Sequence, residues 1–97
     1  MPVYVALVNW TDQGVKNVKD TIKRADAFIE SARKMNCRVR EILYTTGAHD
    51  IVTVIEAPDD EIASRLTLGV GMVGNVRTVT MRAYTKHEMA KIVAGLP

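Results

Sequence analysis

Apolar and polar positions along the chain follow two different periods, and the first segment is apolar on both sides. Val3 to Trp10 is rich in β-branched and aromatic residues, which predicts a β-strand. Its two faces carry Val3, Val5, Leu7 and Asn9 on one side and Tyr4, Ala6, Val8 and Trp10 on the other. Because a strand that is apolar on both faces is covered on both faces, we expect protein on either side of it.

The next segment has the three- and four-residue spacing of an amphipathic helix. Thr11 is a suitable N-cap, and Asp12 places an acid in the first turn, where the helix dipole favours it. The spacing predicts a helix of about twenty residues with a single stripe facing the core. That stripe consists of Val15, Val18, Ile22, Ala25, Ile29 and Ala32, with Phe28 and Met35 alongside.

Two shorter strands follow, and we expect them to pair as a hairpin. Cys37 to Thr45 alternates between apolar and polar residues, which predicts a strand with a partly wet face at a sheet edge. Ile51 to Glu56 is the next apolar run. The short segment 46–50 between them contains Gly47 and predicts a tight turn.

The second half of the chain predicts a helix, a strand and a closing helix. Pro58 and the acids after it open a helix whose buried side consists of Ile62, Leu66, Gly69, Val70 and Val73. Asn75 to Tyr84 alternates as a strand. We expect its more apolar side to lie under the helices (Val79, Met81 and Ala83) and its polar side to face away (Thr78, Thr80, Arg82 and Tyr84). Thr85 and Glu88 form a capping box that opens a helix over Lys86 to Ala94.

This order of elements predicts an α+β fold in a single domain, residues 1–97, since no linker interrupts it. The pattern β-α-β-β-α-β is that of a ferredoxin-like antiparallel sheet with both main helices on one face, followed here by a C-terminal helix. The other sheet face is then bare, although its strands are apolar on that side too. A second copy of the same sheet is the simplest cover. We therefore expect a homodimer or larger homo-oligomer.

Composition adds several expectations about class and location. The 97 residues are 47% hydrophobic and 25% charged, which is typical of a folded globular protein. A net charge of +2 is too small for a nucleic-acid footprint. The single cysteine, Cys37, allows neither an internal disulfide nor a cysteine-based zinc site and is interpreted as a small buried residue. With no leader and no run long enough to span a bilayer, we expect a cytoplasmic protein that binds neither nucleic acid nor membrane.

Two motifs resemble ligand sites but stand in the wrong context. Gly69 to Gly74 spells G-x-G-x-x-G, yet it closes a helix and precedes a strand, the reverse of a dinucleotide site. We interpret Gly69 and Gly71 as permitting close helix packing and Gly74 as a left-handed cap. The run from His87 begins like H-E-x-x-H, but Lys91 stands where the second ligand must be. We therefore predict no metal and no cofactor.

The remaining polar and aromatic residues suggest a ligand site. Trp10 ends the first strand, and a charge at Arg82 on an inner sheet face must be paired or must hold a ligand. We expect Arg82 to be partly buried and hydrogen-bonded, with Glu56 as its partner. It forms either a structural ion pair or the wall of a pocket for an anionic or aromatic small molecule. The candidate ligand-binding residues are Trp10, Tyr44, His49, Asp50, Arg82 and Tyr84.

Five segments of this chain resemble the GYD domain family of small proteins. They are Trp10–Gly14, Gly47–Val52, Glu56–Glu61, Gly74–Ala83 and Glu88–Ile92. The family's Gly-x-Tyr-Asp motif is here Gly47–Asp50, with His49 in the tyrosine position. The resemblance implies a dimeric α/β barrel. The wider barrel class includes cofactor-free monooxygenases, isomerases, haem-dependent enzymes and members with no known activity.

Three functions are compatible with these observations. The first is a small-molecule-binding, homo-oligomeric barrel protein. The second is a cofactor-free monooxygenase- or isomerase-like enzyme acting on an aromatic or polyketide-like substrate, for which His49, Asp50 and Tyr84 are the plausible acids and bases. The third is a structural oligomerisation module. A deep pocket would favour the first two, and a cleft filled by its own side chains would favour the third.

Overall fold

A computed structural model describes residues 1–97, which form one four-stranded sheet with helices before and after its strands. The strands are β1 (Val3–Trp10), β2 (Arg38–Tyr44), β3 (Ile51–Glu56) and β4 (Val76–Ala83). The helices are α1 (Asp12–Lys16), α2 (Thr21–Lys34), α3 (Asp60–Val73) and α4 (Lys86–Ala94). The predicted elements are therefore present, with one change in the first helical segment.

The strands lie in the order β2-β3-β1-β4, and every neighbouring pair is antiparallel. This α+β topology matches the ferredoxin-like arrangement that the order of elements predicts. β1 lies in the interior of the sheet, where it pairs with both β3 and β4. The sheet is open, with β2 and β4 as its edges, so a single chain does not form a barrel.

The predicted twenty-residue helix is interrupted near its start. α1 is only one turn and a half long, and a single turn of 3-10 helix at Val18–Asp20 separates it from α2. The hydroxyl of Thr11 caps α1 by accepting the Gly14 N–H at 3.1 Å, and the same hydroxyl donates to the Gly74 carbonyl at 2.5 Å. The Arg24 guanidinium donates a hydrogen bond to the Asn17 carbonyl at 2.7 Å. This bond satisfies a backbone carbonyl at the point where the helix is interrupted.

The core lies between the sheet and the inner sides of α2 and α3. Its two clusters contain Tyr4, Ala32, Cys37, Ile55, Ala57, Ala63 and Leu66 in one, and Ala6, Val8, Ile51 and Val76 in the other. Cys37 is buried as predicted, and burial raises the pKa of its thiol. The stripe predicted for the first helix is partly wrong, since Ile22 is 61% exposed and Ile29 45% exposed. The side of the helix that faces the core consists of Ala25, Phe28, Ala32 and Met35. These residues are also spaced by three and four positions, so the spacing alone fits either side.

The faces of β4 are the reverse of those predicted. Arg82 lies directly opposite Tyr4, and Thr80 lies directly opposite Ala6. Residues that face each other across a ladder share a side of the sheet. Arg82 and Thr80 therefore lie on the helix side. Val79, which was expected in the core, is 58% exposed on the other side.

That other side, which we call the open sheet face, is covered by no element of the chain. One row of apolar side chains crosses all four strands in register: Leu43, Val52, Leu7 and Val79. The neighbouring row is Glu41, Val54, Val5 and Met81. The surface is thus apolar at its centre.

The C-terminal helix α4 starts at the predicted capping box. The Thr85 hydroxyl accepts the Glu88 N–H at 3.1 Å, and the Glu88 carboxylate accepts the Thr85 N–H at 2.9 Å. Its apolar side chains are exposed, including Met89, Ile92 and Val93. None of the helices combines the length and the apolar composition needed to cross a membrane.

Candidate functional site

α2 and α3 leave a cleft of about 430 Å³ between them, above the helix side of the sheet. Apolar residues of the sheet line it, among them Ala6, Val8, Ile42, Ile51, Ile55 and Val76. The two walls include Phe28 on α2 and Val70 on α3. The size falls within the range of roughly 300–1,000 Å³ that is usual for small-molecule sites. The chain's own side chains therefore do not fill this space.

Trp10 and Tyr44, two of the predicted site residues, form an aromatic pair in the wall of the cleft. Their ring centroids lie 6.4 Å apart with the planes inclined at 27°. The Tyr44 hydroxyl contacts Thr21 on α2 at 3.4 Å. The indole N–H of Trp10 is buried without a hydrogen-bond partner. Of the six predicted site residues, these two line the cleft.

His49 and Asp50 lie outside the lining of the cleft and hold the β2–β3 turn against β1 instead. Nδ1 of His49 is 2.8 Å from Oδ1 of Asn9. Oδ2 of Asp50 accepts the backbone N–H of Trp10 at 2.9 Å. Gly47 has a φ of +132°, a conformation that glycine adopts without steric cost. The Gly47–Asp50 motif thus closes the hairpin and positions the backbone at the end of β1.

Arg82 and Tyr84 lie at the opposite end of β4 from the Trp10–Tyr44 pair. The Arg82 guanidinium lies 4.6 Å from the ring centroid of Tyr84 and 5.7 Å from that of Tyr4. It donates to the carbonyls of Val3, at 3.3 Å, and of Ala83, and its side chain is 31% exposed. The prediction that Arg82 is hydrogen-bonded is confirmed, but the residue as a whole is exposed and lies on the helix side of the sheet, not on the face that a partner sheet would cover.

The predicted partner of Arg82 is wrong. Glu56 lies on the open sheet face and pairs with Arg38 at 3.6 Å, because β4 presents the other side to the helices. The carboxylate near Arg82 belongs to Glu88, at 3.7 Å. The capping contact with Thr85, aided by Arg82, lowers the pKa of the Glu88 carboxyl. The pair therefore links β4 to the first turn of α4.

A second, smaller cavity of about 260 Å³ lies beside Arg82. Its lining is mostly polar and consists of Tyr4, Asp60, Ala63, Ser64, Thr67, Thr80 and Arg82. The hydroxyl of Tyr4 donates to the carboxylate of Asp60 at the start of α3. Burial, reinforced by this bond, raises the pKa of Tyr4 to about 12. The contact fastens β1 to α3.

The charged groups of the main cleft are both cations. Arg24 projects from α2 and Arg65 from α3, whereas the lining contains no Asp, Glu or His. Arg65 forms an exposed pair with Glu61 at 3.5 Å. Arg24 is not among the residues predicted for the site, although it lies within the helical row of Thr21 and Phe28, where a charged residue is unexpected.

The glycines near the end of α3 have different roles from those predicted. Gly74 has a φ of +92° and caps the helix in the left-handed conformation, as expected. A Cβ added to Gly69 or Gly71 would meet nothing within 4 Å, so the close-packing interpretation is wrong. The position that does require a glycine is Gly14, because a Cβ there would lie 1.9 Å from the Asn75 carbonyl oxygen.

Fold and cleft together define a small α+β domain of ferredoxin-like topology with surfaces suited to binding. A sequence model of the GYD domain matches residues 4–93, and the chain belongs to the GYD domain family. It is also similar to a protein of Thermus thermophilus named "Glutamine synthetase and cystathionine beta-lyase binding protein". The two are 31% identical over 97 residues, which cover 99% of each chain.

This relative changes the expectation about partners. The protein partner expected from the sequence is a second copy of the chain, in a homodimer or larger homo-oligomer. The relative's name instead describes binding to two other proteins. The prediction of a protein that associates only with itself is therefore wrong.

Proposed function

We propose that this protein works by binding other proteins through its open sheet face. The observation that carries the proposal is the apolar row Leu43, Val52, Leu7 and Val79, which crosses the whole sheet without a cover. Leu43 is 53% exposed and Val79 58% exposed. Contiguous exposed apolar surface of this kind marks sites of protein association. The occupant we propose is a larger protein with an apolar patch of its own.

The relative from Thermus thermophilus supports this proposal, since it is named for binding glutamine synthetase and cystathionine beta-lyase. Charged residues lie at the edges of the apolar rows of the open sheet face. Glu41, on β2, stands at the end of the row that contains Val54, and Arg77, on β4, lies two residues before Val79 on the same face. An apolar centre with a polar rim is the usual anatomy of an interface between proteins.

The test measures binding of the purified protein to glutamine synthetase and to cystathionine beta-lyase by calorimetry. Val79→Lys places a charge at the end of the central apolar row and should abolish binding to whichever enzyme the wild type binds. Ile22→Lys is the matched control, because Ile22 is as exposed as Val79 but lies on α2. The control should bind like the wild type.

Two results would overturn the proposal. One is wild-type protein that binds neither enzyme. The other is Val79→Lys protein that is folded by circular dichroism and binds as tightly as the wild type. Light scattering on the same samples reports whether a second copy occupies the face in place of another protein, which would also count against the proposal.

As a second function, we propose that the cleft between α2 and α3 binds a small molecule. The observation favouring it is an apolar space of about 430 Å³ with the Trp10–Tyr44 pair in its wall. The enzyme alternative is less well supported, because neither His49 nor Asp50 lines the cleft.

A matched pair of glycines on α3 tests the second function. Gly69 lines the cleft and Gly71 does not, and both have free space where a side chain would begin. With the dye anilinonaphthalene sulfonate as the probe, the open sheet face also binds dye in every variant, so Gly69→Phe should lower, but not abolish, the fluorescence that the wild type induces. Gly71→Phe should preserve it. Equal fluorescence from the two variants would contradict the proposal.

A further inference from the structure

We infer that the cleft selects aromatic anions, for which a carboxylate on a fused ring is the simplest representative, and that Arg24 is the residue that selects them. The inference rests on the second proposed function, since it names the class of molecule that the same cleft binds. Both ionised side chains in the lining, Arg24 and Arg65, carry guanidinium groups. Nothing in the lining would repel an anion.

Arg24 is the better placed of the two cations. Its guanidinium is held by the carbonyls of Asn17 at 2.7 Å and Gly14 at 3.2 Å, where α1 breaks before α2. These bonds fix its position before any ligand arrives, which lowers the entropic cost of binding. They use two of the nitrogens and leave other N–H donors of the group available.

Arg24 also has no carboxylate partner. The side chain is half-buried, and no carboxylate lies close enough to form an ion pair with it. A partly desolvated cation gains more from an anionic ligand than an exposed one does. Arg65 differs on both counts, because it is exposed and already pairs with Glu61.

The apolar part of the cleft explains why the anion should be aromatic. Its floor is built mostly from apolar side chains, such as Val8 and Ile51, with Thr53 and Thr78 among them, and one wall is the Trp10–Tyr44 pair. Flat rings pack favourably against such a wall. A small inorganic anion would pair with Arg24 but would leave the apolar surface of the cleft exposed to water.

The test compares naphthoate with naphthamide, which has the same ring system without the charge, by isothermal titration calorimetry. We expect the wild type to bind naphthoate at least about tenfold more tightly, since a hydrogen bond to a charged group contributes about 1.5–3 kcal/mol. Arg24→Met should bind both compounds equally. Arg33→Met, on the outer side of the same helix and outside the cleft, should keep the preference.

The outcomes separate this inference from the proposal beneath it. Equal binding of the two compounds by the wild type would overturn the anion selectivity and leave the cleft as a small-molecule site. Binding of neither compound, or binding that Gly69→Phe does not reduce, would overturn both. If Arg24→Met fails to fold, nitrogen-15 NMR of the wild type decides. Naphthoate should shift the Arg24 Nε–H resonance and not that of Arg33, and the absence of that shift would refute the role of Arg24.

Discussion

The carboxylate of Asp50 accepts a hydrogen bond from the backbone N–H of Trp10, with 2.9 Å between Oδ2 and N. The bond joins the β2–β3 turn to the end of β1, beyond the last pair of the β1–β3 ladder. Asp50 also donates its own backbone N–H to the Val8 carbonyl at 2.9 Å. The family motif at Gly47–Asp50 thus acts on the cleft indirectly, by positioning the backbone of an aromatic residue in its wall.

Asp50→Ala should therefore destabilise the protein by about 1–3 kcal/mol, because the partly buried N–H of Trp10 loses its acceptor. The measurement is the midpoint of urea unfolding followed by the fluorescence of Trp10, the single tryptophan. Asp26→Ala, at an exposed acid on α2, is the control and should change stability by less than about 0.5 kcal/mol. Equal midpoints for the two variants would show that the turn does not depend on this bond.

Gly14→Ala should be strongly destabilising although it is a small change. Its Cβ would lie 1.9 Å from the Asn75 carbonyl oxygen, so α1 must move away from the start of β4. Overpacking of this kind costs about 1–3 kcal/mol. Gly69→Ala is the matched control, since it lies inside a helix with free space at its Cβ and should gain up to about 1 kcal/mol. Thermal unfolding of the two variants should therefore shift in opposite directions, and a shift in the same direction would contradict the close contact.

The Tyr4–Asp60 bond predicts a loss of stability at alkaline pH. The pKa of Tyr4 is raised from 10.0 to about 12, so the folded protein holds this proton more tightly than the unfolded chain does. The stabilisation is complete below about pH 10 and is lost as the pH rises towards 12. Tyr4→Phe removes the titrating group. The difference in unfolding free energy between wild type and Tyr4→Phe should therefore shrink over this pH interval, and a constant difference would refute the assignment.

Arg82→Met should weaken the fold by more than a surface ion pair can account for. The guanidinium makes two carbonyl hydrogen bonds, lies over two aromatic rings and approaches Glu88, so a loss of about 1.5–3 kcal/mol is expected. Arg38→Met removes the exposed partner of Glu56 and should cost less than about 1 kcal/mol. Similar urea midpoints for the two variants would place Arg82 among ordinary surface residues.

The sequence by itself determined the type and order of the elements and the local devices that begin and end them. Thr11, the Thr85–Glu88 capping box and Gly74 all act as the pattern predicts, because each operates through hydrogen bonds or backbone angles within a few residues. Together with the family segments, these signals were sufficient for the α+β class and the ferredoxin-like topology.

Only the tertiary structure decided which face of each element is buried and which side chains meet. Alternation in β4 defines two faces, but the pairing of Arg82 with Tyr4 across the ladder determines which of them lies under the helices. The partner of Arg82 changed with that choice. In the same way, Thr11 bonds to Gly74 and Asn75, and Gly14 packs against Asn75, just before β4. These contacts join residues about sixty positions apart along the chain, and the carbonyls of Gly14 and Asn17 beside them hold the Arg24 guanidinium, an arrangement that no local pattern predicts.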